Sequence, residues 1–122
     1  MGRFNGDMPA RTFAFATSMI DAIDCLPHNT KGWVIGKQLL RSGTSVGANT
    51  EEADCALTDR EFAQFCNIAR REAAESRFWL RLCVDRGLLT AESSQPLIDE
   101  ADQLVRILST IVRKTREGTD KA

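Results

Sequence analysis

The stretch that decides the fold is RSGTSVGANTEEA, Arg41 to Ala53. It sits inside a longer helical pattern in which Ile35, Leu39, Ser42, Val46, Asn49, Ala53 and Ala56 recur at steps of three and four. On this would-be buried seam, serine and asparagine stand where leucine and isoleucine are usual. Gly36, Gly43 and Gly47 lie on a neighbouring face. A glycine inside a helix costs on the order of 1 kcal/mol relative to alanine, so a run of them implies a compensating gain. The gain expected is close approach of a second helix, which only small residues permit, with Gly43 and Gly47 at the contact.

A second stretch answers the first. Phe62, Phe65, Ala69, Glu72, Ser76, Trp79 and Cys83 share the same spacing, again with a polar centre. If the two helices run antiparallel, their centres meet. The expectation is a buried polar layer of Arg41, Ser42, Ser45, Asn49, Glu52, Glu72, Glu75 and Ser76. A buried carboxylate is costly unless paired and hydrogen-bonded, and Arg41, Asn49 and the hydroxyls are suitable partners for Glu72. Such a network would fix helix register. The alternatives are a small active site using Glu72 and Glu75 for acid–base work, or a subunit contact.

Working outward, four helical segments are expected, at about 9–26, 31–55, 59–86 and 94–116, with a frayed polar tail over 117–122. In the first, Phe13, Ala16, Ile20 and Ile23 share a face, with Met19 and Leu26 beside it. Thr58 is the expected N-cap of the third, with Glu61 three residues on, and Gly87 is its natural C′ residue. The fourth carries two stripes, Leu97/Ala101/Leu104/Leu108/Ile111 and Ile98/Val105/Val112. With Phe15, Trp33 and Phe78 added, this is more apolar surface than four helices easily hide, which points to self-association. Short connections favour an all-α, antiparallel, up-down-up-down four-helix bundle forming one domain over 1–122.

Composition narrows the function. A chain of 122 residues with 43% hydrophobic and 27% charged residues suits one soluble domain. The net charge of −1 opposes bulk binding of polyanions. No signal peptide or membrane span is read, so the expected location is cytoplasmic. Cys25, Cys55, Cys66 and Cys83 form no CxxC pair, and the one histidine, His28, falls in a loop. A di-iron bundle needs Glu-x-x-His motifs, which Glu72 and Glu75 do not complete. No metal, cofactor or catalytic residue is expected. Arg70, Arg77 and Arg81, spaced seven and four apart, share one face. It is read either as a solvated, acid-laced surface or as a phosphate-contacting nucleic-acid face.

The runs RSGTSVGANTEEA (Arg41–Ala53), EF (Glu61, Phe62), IARREAAESRFWLRL (Ile68–Leu82) and GLL (Gly87–Leu89) resemble the four-helix-bundle proteins encoded in intervening sequences of bacterial 23S rRNA genes. They are similar in fold to the accessory variability proteins of diversity-generating retroelements. Thr50 and Arg71 depart from the pattern. The resemblance implies a homopentameric ring or barrel and no established enzymatic activity. Its retroelement relatives bind a reverse transcriptase and nucleic acid through a basic surface, from which a net charge of −1 departs. The reading is a non-enzymatic homo-oligomeric assembly or adaptor protein. The alternatives are an RNA- or ribonucleoprotein-associated factor and a small enzyme.

Overall fold

Each helix begins and ends where its capping chemistry directs. In the computed structural model, which describes residues 2–121, the helices are α1 (Met8–Asp24), α2 (Thr30–Asp54), α3 (Asp59–Asp85) and α4 (Ala91–Lys121). Asn29 Oδ1 accepts from the Gly32 amide at 3.0 Å to start α2, and Thr58 Oγ1 accepts from the Glu61 amide at 3.1 Å to start α3. The end of α3 is a Schellman closure. Gly87 takes a φ of +71°, its amide reaches Val84 O at 3.1 Å, and the Leu88 amide reaches Cys83 O at 2.8 Å.

The fourth helix differs from expectation at both ends. Thr90 Oγ1 accepts from the Ser93 amide at 3.2 Å, so α4 starts a turn ahead of Pro96 rather than at Ser94. Pro96 lies inside it without ending it. The expected frayed tail from Glu117 is helical through Lys121.

The helices pack in sequence order, α1 on α2, α2 on α3 and α3 on α4, with a slimmer α1–α4 contact closing an antiparallel four-helix bundle. Arg11 pins that last seam. Its guanidinium takes both oxygens of Glu100 at 2.7 and 2.8 Å and Gln103 Oε1 at 2.7 Å. At the same end of α1 the chain start is clasped to the α2–α3 turn. Arg3 donates to Ala56 O and Asp59 Oδ1, each at 2.7 Å, and the Phe4 ring lies 5.1 Å from that of Phe62.

Phe15, Met19, Leu39, Val46, Leu80, Leu104 and Leu108 fill the middle of the core. The face of α1 is rotated from the expected one. Met8, Thr12, Phe15 and Met19 point inward, while Phe13 is 68% exposed and Ile20 also faces out. The helix is apolar nearly all round, so its own periodicity does not choose a face. Both stripes of α4 turn inward or lie half-buried, so the apolar surplus is not there. It lies on α1 and α2 (Phe13, Ile20, Trp33, Val34, Leu40), at Phe78 on α3, and at Leu57 in the α2–α3 turn.

Candidate functional site

The polar centres of α2 and α3 do meet, and the seam divides into two parts of different character. Inside, Ser76 Oγ donates to Ser42 Oγ at 2.9 Å, and both residues are fully buried. At the rim, Arg41 reaches across from α2. Its Nη1 lies 3.0 Å from Glu72 Oε2, its Nη2 pairs with Glu75 Oε2, and its Nε leans on Gln38 Oε1 of its own helix. Glu75 Oε2 also accepts from the Trp79 indole N–H at 3.0 Å. The arginine side chain is 47% exposed and that of Glu72 is 18% exposed.

The expected buried layer is therefore smaller than its eight members. Ser42 and Ser76 are buried, Glu72, Glu75, Ser45 and Asn49 are half-buried, and Arg41 and Glu52 are exposed. Asn49 Nδ2 donates to Ser45 O within α2 and does not cross to Glu72. Long charged side chains reach water from a seam position by extending along it, whereas a serine hydroxyl is too short to do so. Among the described residues no buried side-chain polar atom lacks a hydrogen-bond partner. Two further buried hydroxyls escape a reading based on charge. Thr12 Oγ1 donates to Met8 O at 2.9 Å and Thr50 Oγ1 to Val46 O at 2.8 Å, each within its own helix. Neither is among the residues that the helical spacing marks, so the pattern gave no signal for them.

The glycines of α2 serve α1 rather than α3. A Cβ on Gly43 would lie 2.9 Å from Met19 Cγ and 3.0 Å from Met19 Cβ; one on Gly47 would lie 3.3 Å from Thr12 O. Gly32, which the helix pattern did not mark, lies under the Pro27 carbonyl of the α1–α2 turn. These contacts choose the face of α1: Met19 and Thr12 must lie over the small residues, which turns Phe13 and Ile20 outward.

The Arg70/Arg77/Arg81 face is not uniform. Arg77 Nη1 is held by Asp102 Oδ1 of α4 at 2.6 Å, and Asp102 also holds Arg106 at 3.0 Å. Arg70 Nε donates to Asn67 Oδ1 at 2.9 Å, and Arg81 is exposed. No fixed spacing relates Arg77 to Asp102, so sequence pattern could not find that pair.

The thiols divide as well. Cys66 and Cys83 are buried, while Cys25 and Cys55 are exposed and free. Burial pushes the Cys66 thiol up to about 12 and raises Cys83 too. Among the described residues no group of three or more His, Cys, Asp or Glu is placed to hold a metal ion. Among the described residues no helix is long and apolar enough to cross a membrane.

These features define a class: a small antiparallel helical bundle whose middle seam is closed by hydroxyls and whose outer faces carry exposed aromatic residues. The chain belongs to the 23S rRNA-intervening sequence protein family, whose model matches residues 7–110. It is similar to a crystal structure of a protein of unknown function from the S23 ribosomal protein family of Bacteroides thetaiotaomicron. That likeness has a TM-score of 0.80 and 31% sequence identity, and covers 86% of this chain and 97% of the other. No curated protein sequence matches this chain. Membership carries no catalytic residue onto it.

Proposed function

We propose that the chain is a non-enzymatic assembly or adaptor protein that works as a closed homo-oligomer. The supporting observation is the outer face of α1 and α2. Phe13 and Ile20 on one helix and Trp33 and Leu40 on the other stand exposed beside the glycine contact, with Trp33 61% exposed. A face of this kind is typical of a partner site.

A second apolar patch supports ring closure over a two-fold dimer. Phe78 of α3 lines a groove with Ile98 of α4. In a bundle packed in sequence order, the α3–α4 side is opposite the α1–α2 side. Two different patches on opposite sides suit a head-to-tail contact, which closes into a ring when the rotation allows. The family resemblance favours a pentamer. The polar α2–α3 seam is architecture in this reading: it sets the register that presents the two patches.

Interface variants test the reading. Trp33→Glu with Leu40→Glu is expected to give smaller particles by light scattering while far-UV circular dichroism stays helical. An unchanged particle size would move the contact elsewhere.

A further inference from the structure

The strongest feature outside the α2–α3 seam and the assembly faces is a concentration of positive charge. Toward the start of α3 and the end of α4, two adjoining grooves share Arg116. One is lined by Asn67, Arg70, Ser109, Arg113 and Arg116, with Glu117 at its edge. The other adds Arg60, Gln64 and Thr119. Among the described residues, four guanidiniums thus line these grooves with one carboxylate, in a chain whose net charge is −1.

Each arginine keeps donors to spare. Arg60 and Arg116 are exposed, Arg70 commits only Nε to Asn67, and Arg113 meets Glu117 at 3.2 Å in an exposed pair worth little. Two acids near Arg60 do not cancel it: Asp59 is held by Arg3, and Glu61 projects from a different side of α3.

The arrangement is linear. Arg60 and Arg70 are ten residues apart on one helix, or about 15 Å at 1.5 Å per residue. That length leaves room for each of the four guanidiniums to contact a phosphate of one strand. The remaining lining is mainly amide and hydroxyl, which donate to phosphate oxygens, and it offers no aromatic platform for a base.

We infer that Arg60, Arg70, Arg113 and Arg116 form a binding groove for the phosphodiester backbone of a nucleic-acid strand, read without base specificity. The inference stands apart from the assembly reading. The groove lies more than two helical turns along α3 from Phe78, so a ring closed through that patch leaves it open. It also relocates the sequence expectation, because Arg77 is occupied by Asp102 and Arg81 lines the other end of the seam.

The test is fluorescence anisotropy with the full chain and a labelled oligouridylate of about 12 nucleotides, a length within the usual site size. Single-stranded DNA of equal length and vesicles rich in anionic lipid form two further arms. Both strands should bind, with log K falling against log salt with a slope of about −2 to −3, as expected for four phosphates. Arg70→Ala with Arg116→Ala should weaken binding roughly tenfold or more and flatten the slope by about 1.4. Arg81→Ala should change neither. Light scattering and circular dichroism on the same variants separate lost charge from lost assembly or fold. Conservative Arg70→Lys with Arg116→Lys keeps the charge and should retain most of the affinity. Three outcomes overturn the inference: no strand binding at low salt, wild-type binding by the double alanine variant, or binding confined to vesicles.

Discussion

Ser76 Oγ donates to Ser42 Oγ at 2.9 Å across the α2–α3 seam, with both side chains sealed from water. A buried hydroxyl left without its partner costs about 1–3 kcal/mol, whereas removing both partners is nearly neutral. Ser76→Ala is therefore expected to destabilise the bundle by about 1–2 kcal/mol, and Ser42→Ala with Ser76→Ala by less than the sum of the singles. Urea unfolding of the four proteins of that cycle measures the coupling. Strict additivity would mean the hydroxyls do not act as a pair.

The ion cluster at the rim should behave differently. Arg41, Glu72 and Glu75 are paired but partly in water, and such pairs contribute about 0–1 kcal/mol. Arg41→Ala is expected to lower stability by no more than that, with the difference shrinking in high salt. A loss of several kcal/mol would instead mark a sealed charge network.

The divergence of these two predictions shows what the chain made legible. The run Arg41–Ala53 facing Phe62–Cys83 marked an antiparallel bundle with a polar seam, because helical spacing depends only on residue type and position. Which polar groups lie inside did not follow, because reach decides it: Arg41 extends to the surface while Ser42 cannot. The face of α1 was hidden for a related reason. Its outward Phe13 and inward Phe15 are equally apolar, and the choice belongs to the glycines of another helix.

Gly43 and Gly47 should rank differently on substitution. Gly43→Ala forces a methyl against Met19 at about 3 Å, and is expected to cost about 1–3 kcal/mol through overpacking. Gly47→Ala meets Thr12 O at 3.3 Å and regains about 1 kcal/mol of helix propensity, so its net effect should be small. Thermal melts of the two variants compare them. The reverse order would misplace the α1–α2 contact.

Thiol chemistry checks the core independently. At about pH 8, Cys25 and Cys55 should react at once with a disulfide reagent, and Cys66 and Cys83 only on unfolding. The raised thiols also set an alkaline limit. In the folded chain Cys66 keeps its proton well above its ordinary value of 9.0, so the unfolded chain loses protons first as pH rises. That contribution to stability is intact below about pH 9 and is lost progressively from there upward. Cys66→Ala with Cys83→Ala should flatten the alkaline part of a stability–pH curve.

The self-assembly on which the functional reading rests meets its most direct test in the subunit stoichiometry of the unmodified chain, by native mass spectrometry from dilute to concentrated solution. The account predicts a discrete closed species, a homopentamer, persisting on dilution. A monomer at every concentration would contradict it, because Phe13, Trp33 and Phe78 would then remain exposed to water.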